Sequence, residues 1–359
     1  MGIAVGLVLT VIMYVLSLRG EDDVRDPFAK LSPHTPLGPT EATVESRPVR
    51  KALPKYTEGC PCGDWAFAEY KSNEVEDMWA VHATEWSKHV CQHMHPNWGL
   101  WDATAPSVSA PGPKITSYMV YTCACNKDAN VTVPIESLGG VMRHPYTCKD
   151  PDFSEGYHAP GGYSLMYHIN KEYLLVDSWA AVNDARKGSV LYYDMGASTW
   201  TMGAGGASQS WFAETYAERC TPIESVWAWE ANPTPPKEVF SQVPGPLRPG
   251  YHWFNIIANT PVDSWDNPWR HLKATATVDD FVIVKLDIDN TPVEEALIGQ
   301  LLADKDLMAL IDEFYFEHHV AQWPLLLSWG ADGATGDLGE SVRLFQTLRR
   351  AGIRAHSWV

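Results

Sequence analysis

The stretch "SVLYYDMGASTW", residues 189–200, decides the fold. An apolar run from Val190 to Tyr193 ends at an acid, and Gly196-Ala197 follows at once. Such a run bounded by turn residues reads as a buried strand. A carboxylate and a glycine at its end read either as a tight turn or as the rim of a nucleotide pocket. The segments downstream repeat the pattern. "QSWFAETYAERC" (209–220) predicts a helix, "IESVWAWE" (223–230) a strand and "YHWFNIIANT" (251–260) another. "DFVIVKLDID" (280–289) predicts a strongly β-branched strand, and "PVEEALIGQLLADKDLMALI" (292–311) a helix. "EFYFEHHV" (313–320) predicts a strand, "GESVRLFQTLRRAG" (339–352) a helix and "IRAHSWV" (353–359) a closing strand. Strands alternating with helices imply a parallel α/β sheet.

In open parallel sheets, ligands bind outside the carboxyl ends of the strands. The residues at those ends are Asp194 with Gly196, then Glu230, then Asp287 and Asp289, then Glu317 with His318 and His319. Polar chemistry thus stands at four successive strand ends. Gly196 and "GAGG" (203–206) lack Cβ atoms, so backbone can approach a ligand closely. An acid ending the second strand is placed to accept from both ribose hydroxyls of a nucleoside, as in dinucleotide folds, and Glu230 holds that place. The plainer reading is that Asp194 and Glu230 only cap helices.

"YYDMGAS", "VWAWEANP", "VIVKLDID" and "FYFEHH" resemble, in order and spacing, the motifs of FkbM-type S-adenosylmethionine-dependent methyltransferases. The resemblance covers roughly residues 160–359. It implies a Rossmann-like methyltransferase sheet with helices on both faces. It implies S-adenosylmethionine as cofactor, bound by Asp194, Gly196, Ser198, Glu230 and Asp287. Asp194 and Gly196 would shape the methionine end, Glu230 would hold the ribose, and Asp287 would line the site below the sulfonium. Glu317 and His318 would lie near the acceptor, with His318 and Asp287 as the catalytic pair. Ser198 stands where the family has asparagine, Trp200 replaces its second glycine, Ala231 its proline and Asp289-Asn290 its Glu-Gly. Methyl transfer to a hydroxyl depends mostly on positioning, and a base assists it. His319 should point to the opposite strand face from His318. No metal ligand set is assigned; His93 and His95 ("HMH") would share a face if they lay on a strand, but no third ligand accompanies them.

The N-terminal part bounds where this chemistry would occur. "GIAVGLVLTVIMYVLSL" (2–18) carries no charge, and no A-x-A cleavage site follows it. Seventeen residues reach the lower limit for a membrane span, so residues 1–20 read as an uncleaved signal-anchor transmembrane helix. The proline-bearing residues 21–58 read as a flexible stem. Residues 59–150 form a cysteine- and tryptophan-rich region, with a helix in the second half of 64–90, a strand at 117–125 and a loop at 105–114. Residues 151–359 form the methyltransferase-like domain.

Six of the seven cysteines, Cys60, Cys62, Cys91, Cys123, Cys125 and Cys148, fall in the cysteine-rich region. Behind an apolar N-terminus they read as a disulfide framework of open connectivity. The "CPC" and "CAC" spacing does not suit most structural zinc sites. Asn130-Val131-Thr132 is a glycosylation sequon. These features point to the secretory pathway, the Golgi or another endomembrane, with the C-terminal domain in the lumen. The expected acceptor is a glycan or small-molecule hydroxyl. A net charge of −17 without basic runs excludes a nucleic-acid binder. Sixteen tryptophans are read chiefly as packing residues.

Two rivals remain. An anchor, a stem and the D-x-D of Asp287-Ile288-Asp289 also describe a lumenal, metal-dependent glycosyltransferase, in which paired carboxylates hold a divalent metal on a nucleotide-sugar diphosphate. A membrane-anchored binding protein with a degenerate methyltransferase fold is the other.

Overall fold

The computed structural model describes residues 60–101, 115–148, 169–177, 188–203, 207–326 and 333–359. The anchor, the stem, the loop at 105–114 and most of the glycine cluster at 203–206 lie outside them. Among the described residues no helix is long and apolar enough to cross a membrane. All of them belong to one compact unit, residues 50–359.

The protein is α/β, built around a sheet of six parallel strands. These are β4 (Val190–Met195), β5 (Ser225–Trp229), β6 (Tyr251–Phe254), β7 (Phe281–Leu286), β8 (Glu313–Phe316) and β9 (Arg354–Ser357). Their spatial order is β6-β5-β4-β7-β8-β9. Counted from β4, that is 3-2-1-4-5-6, the doubly wound order whose chain reverses between the first and fourth strands. The crevice at that reversal lies between the carboxyl ends of β4 and β7.

A second, antiparallel sheet takes β1 (Trp65–Lys71), β2 (Thr116–Cys123) and β3 (Asn126–Glu136) in sequence order. The six clustered cysteines form disulfides: Cys60–Cys123, Cys62–Cys125 and Cys91–Cys148. Cys220 is free and exposed. The sequon lies on β3, the edge of this sheet, with Asn130 exposed.

Side-chain alternation assigns the two faces of the large sheet. Leu191, Tyr193 and Met195 of β4, with Val282, Val284 and Leu286 of β7, enter one core. That core is closed by α1 (Glu74–Trp86), α6 (Pro268–Thr275), α7 (Thr291–Ala303) and α9 (Leu338–Arg350), through Trp79, Leu272, Leu297 and Phe345 among others. Val190 and Tyr192, with Ile283 and Tyr315, enter the other core against Phe212 and Tyr216 of α4 (Ser208–Glu218) and Val239 of α5 (Pro236–Gln242). Trp65, Met119, Tyr121, Val133 and Ile135 of the small sheet join this second core. The cysteine-rich region therefore packs into both cores.

It also meets the β9 edge through side chains. Arg354 on β9 donates to the carbonyls of Pro134 and Leu175. Arg349 on α9 donates to the carboxylate of Glu136 at 2.9 Å. Glu76 on α1, fully buried, accepts from Tyr70, Ser117, the Leu138 amide and Gln346 of α9.

The long helix expected over 292–311 is divided. α7 ends at Ala303, and Asp304 accepts from the amides of Asp306 and Leu307 to start the short α8 (Lys305–Met308). The strand expected over 251–260 stops at Phe254 because the next side chain, Asn255, turns back to the carbonyls of Glu230 and Asn232.

Candidate functional site at the carboxyl edge of the sheet

Parity along the strands gathers the site. Asp194 pairs with Lys285 across β4 and β7, and Asp287 and Glu230 continue the same alternation on β7 and β5. Lys285 Nζ stands 3.3 Å from Asp194 Oδ1, 3.0 Å from Asp287 Oδ2 and 3.0 Å from the Gly196 carbonyl. Burial works against the charge on Lys285, but the two carboxylates outweigh it and hold the ammonium above its ordinary pKa. Burial likewise raises Asp194, opposed by Lys285. Asp287 is pushed up to about 7, first by burial, against the pull of Lys285 and with help from the charges of Glu317 and Asp289. Asp194 has no exposed surface and holds Lys285 through Oδ1.

The loops after the strands are stitched together beyond the ladder. The amides of Gly196 and Ala197 donate to the Trp229 carbonyl at 3.0 and 2.9 Å, and the Asp287 amide donates to the Met195 carbonyl at 2.9 Å. A Cβ on Gly196 would come 1.6 Å from the Asp287 carbonyl oxygen, and its φ is +89°. The glycine is therefore demanded by the chain's own closure at the β4–β7 crevice. Ser198 has a φ of +49°. That left-handed conformation is the one asparagine tolerates best after glycine, which accounts for an asparagine at this place in the resembled motif. Glu230 receives the Ser198 amide on Oε2 and the Asn232 amide on Oε1, each at 2.7 Å. Its carboxylate is thus fixed, and each oxygen keeps a lone pair for a further donor. Trp200 packs into the second core, edge-on to Tyr251 at 6.2 Å.

On β8 the parity separates the two histidines. Glu317 and His319 follow Glu313 and Tyr315, whereas His318 follows Phe314 and Phe316. His318 stacks on Phe316 at 5.0 Å, and burial lowers its pKa to about 4. His319, not His318, meets the acids: its Nε2 is 3.2 Å from Glu317 and 3.9 Å from Asp289. Burial opposes its charge, but the hydrogen bond to Glu317 prevails and its pKa is raised. The sequence held the signal for this choice, since 319 shares parity with 317. His93 lies on α2 (Val90–Met94) and stacks on Trp86, while His95 Nε2 is 3.0 Å from the Cys148 carbonyl, so the pair shares no strand face.

Sequence reasoning noted Lys285 only as fitting the resembled motif, and passed over Lys171 and Glu294. Lys171 carries an ammonium that burial, and then the charge of Lys285, lowers to about 8, against Asp287 and Glu317. Glu294 looked like an ordinary helix-face acid, yet it is 1% exposed and accepts from the Ile288 amide at 2.7 Å. Beside this edge, a small, partly open pocket lies between the cysteine-rich region and the end of β9, lined by Trp101, Leu138, Met142, Arg143, Tyr173 and Ser357 among others. Arg143 links it to the acids, with Nη2 3.5 Å from Glu317 Oε1. No protein-family model, curated protein or solved structure matches the chain.

Proposed function

We propose that the chain is an S-adenosylmethionine-dependent O-methyltransferase of FkbM type. The single observation that carries the reading is the Glu230 carboxylate. It stands at the end of the second strand of a 3-2-1-4-5-6 sheet, fixed by two backbone amides, one of them from the loop after the first strand. A carboxylate held there with a free lone pair on each oxygen suits two vicinal ribose hydroxyls. This acceptor pair fits the nucleoside end of the cofactor. When bound, the cofactor supplies a methyl group on a sulfonium.

The chain's own residues would then bind and orient. Glu230 takes the ribose, and the loop from Gly196 to Ser198 forms the wall beside it. Asp287, at the crevice between β4 and β7, lies below the reacting centre, held by Lys285. The apolar cavity against Arg143 receives the acceptor, and a glycan or small-molecule hydroxyl is the substrate class this reading takes. The three disulfides favour an oxidising compartment, consistent with a secretory or Golgi location.

The test is calorimetric titration of the full chain with S-adenosylmethionine. Saturable binding that Glu230→Ala reduces by roughly tenfold or more is expected, as for loss of a buried charge-assisted hydrogen bond pair. Absence of binding to the wild type overturns the reading. Binding of a nucleotide sugar with Mn²⁺ instead would favour a glycosyltransferase. Against that rival stands the ion pair of Asp287 with the buried Lys285, which engages one acid of the D-x-D.

A further inference from the structure

The carboxyl ends of β7 and β8 hold a donor group that the methyl-transfer reading leaves unused. Asp289, Glu317 and His319 each offer one ligand atom, and these atoms all lie within 4.8 Å of one another. Each side chain is placed differently. Asp289 adopts a φ of +58°, a conformation aspartate tolerates better than most residues, and its side chain is 71% exposed at the rim. Glu317 gives Oε1 to Arg143 and turns Oε2 toward His319. Holding one carboxylate oxygen from outside leaves the other aimed, as outer partners do around metal ligands. His319 is buried and presents Nε2 to both acids.

A separate observation points to something that belongs among them. Glu294 on α7 lies within electrostatic reach of all three. Its Oε1 accepts from the Ile288 amide, but its Oε2, in a side chain 1% exposed, has no hydrogen-bond partner among the described residues. It interacts electrostatically with His319, Glu317 and Asp289. A buried carboxylate oxygen without a partner is costly, and three carboxylates around one imidazole repel one another. A protonated His319 paired with Glu317 would satisfy those two groups and leave the buried Oε2 of Glu294 unanswered. A divalent cation would take Asp289, Glu317 and His319 as ligands and offset the charge of Glu294 beside them.

We propose that Asp289, Glu317 and His319 bind one divalent first-row transition cation, with Glu294 supporting it from the buried side. Two hard carboxylates and one imidazole suit Mn²⁺ or Zn²⁺ better than Mg²⁺, which prefers oxygen and its own water. The exposed rim at Asp289 gives the ion its entry. This site stands independently of the cofactor reading, since it uses neither Glu230 nor the loop after β4.

The test uses the full chain, stripped with chelator and titrated with Mn²⁺ alone and with Zn²⁺ alone, followed by calorimetry and, for Mn²⁺, by paramagnetic resonance. One saturable ion per chain is expected. His319→Asn and Glu317→Gln should each weaken it by roughly tenfold or more. Asp289→Asn, at an exposed position, carries the same test if a buried variant fails to fold. No saturable binding of either metal, or binding that Asp289→Asn and His319→Asn leave unchanged, overturns the proposal. Because S-adenosylmethionine is absent from this titration, its result is separate from that of the cofactor experiment.

Discussion

Lys285 and Asp194 face each other across β7 and β4, Nζ to Oδ1 at 3.3 Å, with both side chains shut from solvent. The pair sits beneath the crevice where the sheet order reverses, and Lys285 also holds Asp287. Removing the lysine would strand two carboxylates in the interior. Lys285→Met is expected to cost about 3–5 kcal/mol, the range for breaking a buried ion pair from one side. Asp194→Asn combined with Lys285→Met should cost less than the sum of the single changes, because each removes the other's unpaired charge. Urea denaturation of the four proteins measures the coupling. Additive costs would show that the two groups do not depend on each other.

Two glycines give opposite expectations for the same substitution. Gly196 combines a φ of +89° with a Cβ position 1.6 Å from the Asp287 carbonyl oxygen. Gly196→Ala must therefore push apart the backbone closure between β4 and β7. A loss of several kcal/mol is expected, at least about 3, since neither strain nor clash can relax through a flexible side chain. Gly299 lies within α7, exposed, and a Cβ there meets nothing within 4 Å. Gly299→Ala should stabilise by about 0.5–1 kcal/mol by relieving helix backbone entropy. Thermal denaturation of both variants decides it, and a neutral Gly196→Ala would contradict the described closure.

The apolar strands β4, β5, β7 and β8 were legible because they are buried on both faces and read as unbroken hydrophobic runs. The acids that end them were legible for the same reason, as abrupt interruptions. β3 was not, because Asn126–Glu136 carries many polar residues on an edge strand with one exposed face and passes for a loop. The short helices α5 and α6 were also missed; both begin at proline, which reads as a breaker but is tolerated at the first helical position. Within the site, the residue types were visible and their facing was not. The Lys285 partner of Asp194 lies on another strand and shows only once β4 and β7 pair. His318 was expected near the acceptor but stacks on Phe316, while its neighbour meets the acids. Glu294 depended on the fold of α7 against the strand ends, which no local pattern states.

The disulfides should contribute unequally despite nearly equal spans. Cys60–Cys123 and Cys62–Cys125 each join residues 63 apart, and Cys91–Cys148 joins residues 57 apart. Closing such a loop alone restrains the unfolded chain by about 4 kcal/mol on the chain-entropy account. The parallel pair is not independent, however. Once Cys60–Cys123 is closed, Cys62–Cys125 closes only a ring of a few residues, worth about 2 kcal/mol on the same account. The double substitution of Cys62 and Cys125 by alanine should therefore destabilise about half as much as that of Cys91 and Cys148. Denaturant midpoints of the two double variants check the ordering, and equal losses would show that native-state contacts rather than loop closure govern it.

Glu136 makes the stability of the packing between the small sheet and the β9 edge depend on acid pH. Burial alone would raise its pKa, but His356 at 2.9 Å and Arg349 at 2.9 Å outweigh that, with the Leu175 amide, and lower it from an ordinary 4.5 to about 2. Between these values the unfolded chain binds the proton and the folded chain does not. The carboxylate's stabilisation is thus complete above pH 4.5 and is lost as pH falls toward 2, by about 3 kcal/mol in all. Other acids titrate in overlapping windows and act with the opposite sign, among them Asp287, which burial raises. The difference between wild type and Glu136→Gln cancels them. That difference in unfolding free energy should shrink steadily from pH 5 to pH 3. If it stays constant, the carboxylate does not carry the charge that joins β3 to β9.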